Sequence, residues 1–530
     1  MGAAPRSLIG QKTPVEIVDY LDRGADLAPA ADCFVMGERR WSYADSRHQS
    51  RSIAAALFRD GIASGAKAAV LSPNRPEGFL CVMGLMRAHL VWLPINPKYS
   101  LEDIVQLLAR FECEVLFLHS EFEAAVPTLR ARLTRLKIIV GVDRAFADVP
   151  ALDSWNAQPE DWIDLPAAGR EDLAAIMATG GTTGRPKGIM QSHRGLETYV
   201  ANHLATMPAA SPPRYLVAAP MTHAAGLMCL PMFVRGGTTF VIENAQARAV
   251  ADAIRRWEIT DLFLPPTVIY NMLADPEISR MSFPSLRYLL YGAAPMAVRK
   301  LREALRLFGP VMVHGFGQME AIMLCTVLRP EEHYSGADLA DDRRLASCGR
   351  PAPFVRLAIM GPDGRLLDDG ETGEIVVRGG NVMLGYYEDP DATREASMHG
   401  WHHTGDLGYR DAEGYYYIVD RAKDMIISGG YNIFPSEIEQ IIWSHEGVRD
   451  CAVVGIPDDK WGEAVTAVVE LKAQASVSAE EIVRLCRARL GPLKTPKHVE
   501  FWSELPRSAV GKVLKNQIRD RFWATHGSRI

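Results

Sequence analysis

Residues 173–192 read Leu173-Ala-Ala-Ile-Met-Ala-Thr179-Gly-Gly-Thr-Thr-Gly-Arg-Pro-Lys-Gly188-Ile-Met-Gln-Ser192. An apolar run of strand length, Leu173 to Met177, leads into a loop, and a second short apolar stretch follows it. The glycines at 180, 181, 184 and 188 let backbone approach a ligand closely, Thr182 and Thr183 supply hydroxyls, and Lys187 supplies positive charge. That combination suits a polyphosphate. It is not a Walker A loop, because Lys187 follows Pro186 and precedes Gly188 where Ser or Thr would be needed.

Outward from this loop, apolar runs and Gly/Pro loops alternate with helical patterns. Val298, Leu301, Leu305 and Phe308 fall on one helical face, Gly309-Pro310 stops that helix, and Val311-Met312-Val313 begins a strand. Val250, Ile254 and Trp257 form a similar stripe ahead of the strand Leu262-Phe263-Leu264. Such alternation predicts α/β domains with loop-borne sites at the C-terminal ends of strands. Tyr215 to Val234 is uncharged and long enough to span a bilayer, but Pro220, Thr222, His223 and Pro231 interrupt it. It reads as a buried strand, loop and helix start lining a pocket.

The texture changes near residue 420. Arg378 to Val419 is rich in Gly, Tyr and turn residues and reads as a small β-rich region. Asp420-Arg-Ala-Lys-Asp424 and Ser428-Gly429-Gly430 follow. Pro435-Ser436 with Glu439 has the spacing of a helix capping box, Cys451 to Val454 reads as a short strand, and Glu480 to Leu490 as an amphipathic helix. The boundary is placed at about 420, giving a body of residues 1–420 and a C-terminal domain of 421–530.

Composition narrows the class. At 530 residues the chain is too long for one simple core, and its ordinary balance of apolar and charged residues excludes a fibrous or largely disordered protein. A net charge of −6 excludes a generally cationic nucleic-acid or membrane-surface binder. Eight Cys without a CxxC pair make neither a disulfide framework nor a thiol zinc site. The N-terminus lacks the apolar core of a signal peptide, and Arg6 stands where N-myristoylation needs Ser or Thr. A soluble, cytoplasmic protein is expected, without a transmembrane segment or nucleic-acid partner.

The 179–188 segment resembles the phosphate loop of the acyl-adenylate-forming (AMP-binding) superfamily, which includes acyl- and aryl-CoA ligases, peptide-synthetase adenylation domains and luciferases. Further motifs occur in family order. Pro220-Met-Thr-His223-Ala-Ala-Gly226 is similar to the pocket motif, and Gly292-Ala293-Ala294-Pro295 to the loop packing on adenine. His314-Gly315-Phe316-Gly317-Gln318-Met319-Glu320 resembles the motif usually written Tyr-Gly-x-Thr-Glu. Thr404-Gly-Asp406 matches the ribose motif, Asp420-Arg421-Ala-Lys423 the interdomain hinge, and Gly511-Lys512 the C-terminal catalytic lysine. The resemblance spans about residues 30 to 520.

It implies a large N-terminal region of two α/β subdomains plus a small β-rich subdomain, followed by a mobile α+β C-terminal domain. It further implies a two-step ligase: a carboxylic acid and ATP·Mg²⁺ give an acyl-adenylate and pyrophosphate, then the thiol of coenzyme A displaces AMP. Lys512 would bridge the carboxylate and α-phosphate, while Thr179, Gly180, Gly181, Thr182, Thr183, Gly184 and Lys187 hold the outer phosphates. Glu320 would hold Mg²⁺, Asp406 the ribose diol, Arg421 ribose or phosphate, and His223 would sit near the substrate carboxylate. Lys423 would be the hinge, with Ser428, Gly429 and Gly430 brought to the thiol channel; the resemblance also allows a homodimer.

Two departures stand out. Phe316 replaces the usual Tyr but keeps an aromatic face for adenine. Met319 replaces the usual Thr and removes a hydroxyl beside the metal carboxylate, a loss on the order of 10²–10³ in rate unless Gln318 or a water substitutes. His402-His403 lacks the further ligand that a metal cluster would need. GxSxG, HExxH and a well-placed GxGxxG are absent, which disfavours an esterase, zinc protease or ordinary dehydrogenase. The acyl-pocket candidates Leu227, Met228, Pro265, Thr267, Gly292, Ala293, Gly315, Phe316 and Met323 include no Arg or Lys, which argues for a monocarboxylic fatty, alicyclic or aryl acid. No carrier-protein domain follows residue 530, which favours CoA as acceptor. An acyl-AMP ligase serving a separate carrier protein and a nucleotide-binding homologue without catalysis are the alternatives.

Overall fold

A computed structural model describes residues 15–157, 168–178, 187–428, 431–458, 461–508 and 513–523. Two large sheets make the body. In the first, the strands Met312–Phe316, Tyr288–Gly292, Asp261–Leu264, Arg214–Val217, Thr238–Val241 and Asp32–Met36 lie side by side and parallel. Their cores are continuous apolar runs such as Leu262-Phe263-Leu264 and Leu289-Leu290, as burial on both faces requires. Antiparallel strands flank the set, Thr326–Leu328 and Arg350–Pro351 at one side and Arg39–Ser42 at the other.

The second sheet orders Gly385–Tyr386, Gly188–Ser192, Leu173–Ala178, Val91–Pro94, Lys67–Leu71, Cys113–Leu118 and Ile138–Gly141. Its first three strands are antiparallel, so the opening segment of the sequence is a hairpin whose arms pair Ala178 with Gly188. Helices cover the sheets by amphipathic faces: in Val298–Phe308, Leu301, Leu305 and Phe308 are buried, and Gly309-Pro310 ends the helix as expected. Tyr215 to Val234 forms the end of the strand Arg214–Val217, a loop, and the short helices Ala224–Leu227 and Cys229–Val234, all packed into the core. No helix of the described residues is long and apolar enough to cross a membrane. The eight cysteines are buried and free of disulfides.

Residues Val355–Met360, Gly373–Gly379, His402–Arg410 and Tyr416–Arg421 form a four-stranded antiparallel sheet. It begins at Val355 rather than near Arg378, because its first strand is an ordinary apolar alternation without the Gly/Tyr signature of the rest. A five-stranded sheet follows, built on the long pair Val448–Asp458 and Gly462–Leu471. The expected strand Cys451–Val454 is thus the middle of one more than twice as long. The helix Ala479–Leu490 matches its expectation. The expected capping box does not form. Pro435 is the first residue of the helix Pro435–Trp443, Phe434 is its cap, and no side chain caps it. The Glu439 carboxylate instead pairs with Lys515, Nζ to Oε1 2.8 Å.

Candidate active site

Four neighbouring parallel strands deliver the expected motifs at their C-terminal ends. Met312–Phe316 leads into Gly317 to Glu320, Tyr288–Gly292 into Ala293 to Pro295, Asp261–Leu264 into Pro265 and Thr267, and Arg214–Val217 into Pro220 to His223. Loops there reach a ligand without interrupting the ladder. Backbone fit fixes their shape. A Cβ on Gly292 would lie 2.3 Å from the Gly315 carbonyl oxygen, and one on Gly317 would lie 1.4 Å from that of Met323. Gly292 is therefore a close-approach residue between two strands, and a side chain there would push against the neighbouring strand. Ala293 and Met323 hold left-handed backbone, φ +64° and +60°, which side-chain-bearing residues adopt at a cost and which concentrates at functional sites.

The hairpin brings opposite charges together. Lys187, at the end of the Gly-rich loop, places Nζ 4.6 Å from the centroid of the Tyr386 ring. The Tyr386 hydroxyl donates to Glu320 Oε1 at 3.1 Å. Gln191, buried on the same hairpin, donates from Nε2 to the Met319 carbonyl at 2.5 Å. Met319 turns its side chain against the core, and the Gln318 amide lies 3.1 Å from His402 Nε2. Gln318 thus links the 314–320 motif to the segment before Asp406. Phe316 is buried at 9% exposure, so its ring is largely enclosed by protein.

Asp406 is 3% exposed, and its Oδ1 lies 2.5 Å from Arg421 Nε, across the register pair of their strands. The turn before it is held from below: Glu374 accepts from the Gly405 amide at 2.8 Å and contacts His403 Nδ1 at 2.7 Å. His403 is held by Glu374 and His402 by Gln318. Among the described residues no three His, Cys, Asp or Glu gather as a metal cage. Mg²⁺ does not need one, since it takes one or two carboxylates together with phosphate oxygens, and the Glu320 carboxylate beside Lys187 fits that donor set.

His223 begins the short helix Ala224–Leu227, with Nδ1 2.9 Å from the Thr222 hydroxyl. Burial pushes its pKa down to about 4, so the ring is neutral at neutral pH. Asn74 holds the preceding loop: its amide donates to the Ala219 and Ile242 carbonyls at 3.1 and 3.3 Å, and its oxygen accepts from the Met221 amide at 3.0 Å. Of the acyl-pocket candidates, Leu227 and Met228 are core residues at 5% and 2% exposure, while Pro265, Thr267 and Met323 are partly exposed at the strand ends.

Lys423 lies in the single turn Ala422–Asp424, where its carbonyl accepts from Arg519 at 3.3 Å and Asp424 pairs with Arg519 at 2.7 Å. Ser428 is buried on the strand Ile426–Ser428. Thr179, Gly180, Gly181, Thr182, Thr183, Gly184, Gly429, Gly430 and Lys512 lie outside the described residues. Tyr386, Gln191, Asn74, Glu374 and Arg519 escaped the sequence reading, because each acts across a strand pairing or a fold contact that no local spacing reveals.

Residues 21–387 match the model of the AMP-binding enzyme family, and residues 437–512 match that of the AMP-binding enzyme C-terminal domain. Feruloyl-CoA synthase of an Amycolatopsis species is 36% identical over 509 residues, covering 94% of this chain and 98% of the relative. The medium/long-chain-fatty-acid–CoA ligase FadD8 of Mycobacterium tuberculosis is 34% identical, covering 89% and 84%. Among solved structures, the amide bond synthetase McbA of Marinactinospora thermotolerans superposes with a TM-score of 0.86 at 28% identity, over 96% of this chain and all of that one. The chain belongs to the AMP-binding enzyme family.

Proposed function

We propose that the protein is an AMP-forming acyl-CoA ligase acting on an apolar monocarboxylic acid. The observation that carries this reading is the convergence of Lys187 and Glu320 on one tyrosine beside four parallel strand ends. A cation and a carboxylate held by one side chain, with no metal cage among the described residues, suit a polyphosphate and its divalent ion. In the first half-reaction a substrate carboxylate oxygen attacks the α-phosphorus of ATP and pyrophosphate leaves. In the second, the sulfur of CoA attacks the acyl carbonyl and AMP leaves.

The chain's residues divide this work. The 179–187 loop orients the outer phosphates, Asp406 accepts from the ribose hydroxyls, and Arg421, already beside Asp406, follows the nucleotide. Mg²⁺ on Glu320 would offset phosphate charge. A neutral His223 positions the acid by hydrogen bonding and brings no cation, so the positive charge between carboxylate and α-phosphate falls to Lys512. We assign residues 1–420 to the adenylate-forming body and 421–530 to a domain that turns about Lys423.

The names of the relatives span an aromatic and an aliphatic acid, and both suit an apolar pocket without Arg or Lys. The amide-forming structural relative makes the acceptor the point to test. A pyrophosphate-release screen over fatty, alicyclic and aryl acids, run with and without CoA, should find acids that release pyrophosphate and yield AMP and thioester in equal amounts once CoA is present. A preference for dicarboxylates would refute the pocket assignment. Acid-dependent pyrophosphate release with no CoA-dependent product would refute CoA as acceptor.

A further inference from the structure

We propose that Tyr386 is a positioning residue that keeps Lys187 and Glu320 apart as a separate cation and anion, ready for a polyphosphate and its divalent ion. The inference rests on the nucleotide site described above and goes further, to a residue that no motif carries. The ring takes the Lys187 ammonium on its face at 4.6 Å, and the hydroxyl at its far end donates to Glu320 Oε1 at 3.1 Å. Without the ring each charge would lose its present partner, and an ion pair between the two would deprive each of the ligand it is meant to meet. The phenol satisfies both without joining them, the ring by cation–π attraction and the hydroxyl by a charge-assisted hydrogen bond.

The backbone around Tyr386 is pinned to both partners. The Leu384 amide donates to the Met190 carbonyl at 2.8 Å and the Tyr387 amide to the Gly188 carbonyl at 2.7 Å, tying the strand to the end of the Gly-rich loop. The Met383 amide donates to the Glu320 carbonyl at 2.8 Å, tying the same strand to the metal-site loop. The Tyr386 amide is held in turn by the Thr393 hydroxyl at 2.8 Å. Packing alone would be served by phenylalanine; the hydroxyl serves Glu320.

The test is equilibrium binding of ATP by calorimetry, with and without Mg²⁺, to the full-length protein and to Tyr386→Phe and Tyr386→Leu. Tyr386→Phe keeps the ring under Lys187 and releases Glu320. It should weaken binding of Mg·ATP about tenfold and leave metal-free ATP within about twofold, with an unchanged melting temperature. Tyr386→Leu should weaken both forms, because Lys187 loses its support as well. Should the leucine variant fail to fold, the phenylalanine variant carries the test alone. Wild-type-like affinities in Tyr386→Phe, or equal losses for both forms of ATP, would overturn the proposal. A wild-type protein that binds neither form would overturn the nucleotide site, and this proposal with it.

Discussion

Around Gly292 and Gly317 the chain is pressed against neighbouring carbonyl oxygens with no room for a side chain, whereas around Lys515, Glu439 and Asp420 it is tied by charge. In the first region, positions are set by carbonyl contacts at the end of a buried parallel sheet. Such contacts change shape only if the sheet does. In the second, Glu439 is 3% exposed and meets Lys515, which two carboxylates, Glu439 and Asp420, keep charged. Asp420 in turn accepts from the Ser436 amide at 2.8 Å, so the segment before Lys423 is clasped to the helix Pro435–Trp443. One region is a rigid platform. The other is a cluster of ion pairs that begins three residues after Lys512 and ends three residues before the proposed hinge.

The sharpest contrast should come from acid. Six histidines lowered by burial belong to the body: His193, held below its ordinary value, His203, lowered to about 3, and His223, His314, His333 and His402, lowered to about 4. In the unfolded chain each takes a proton as pH falls through about 6.5, while in the fold each stays neutral to lower pH, the last five down to about 4. The unfolded state therefore binds more protons in that window, and stability drops as pH drops, by on the order of 1–3 kcal/mol per histidine. Melting of the body followed from pH 7 to 4 should fall steeply over this range. A flat profile would show that these rings are protonated in the fold.

Next in size is Gly317→Ala. With the Met323 carbonyl 1.4 Å from the added carbon, the strand end must shift, at a cost on the order of 4 kcal/mol. Little change in melting temperature would mean that this platform is looser than described. Lys515→Met should cost somewhat less, about 3 kcal/mol, by leaving the buried Glu439 carboxylate unpaired. Adding Glu439→Leu should recover most of that loss. A double variant no better than the single would show that the region is not held by this pair.

The platform was readable because its requirements are local. Glycines spaced in Gly292-Ala-Ala-Pro295 and Gly315-Phe-Gly317 mark close approach wherever they fold, and apolar runs ending at them mark parallel strands. What each glycine is pressed against was not legible, and only the fold shows the Gly315 carbonyl facing Gly292. Charge ties were unreadable for the opposite reason. Glu439 stands at capping-box spacing after Pro435-Ser436, but its partner Lys515 is 76 residues further along. Tyr386 was equally hidden, because its role depends on a two-residue strand pairing it with Ile189.

The proposed rotation of residues 421–530 about Lys423 is most directly tested by separating the half-reactions of Lys512→Ala. In the proposed mechanism Lys512 contributes its charge only while acid and ATP react, so acid-dependent pyrophosphate release should fall at least about a hundredfold. The same protein, given preformed acyl-adenylate and CoA, should make thioester at a near wild-type rate. Equal damage to both half-reactions in a variant that melts like the wild type would contradict a rotating domain and point to a single fixed site.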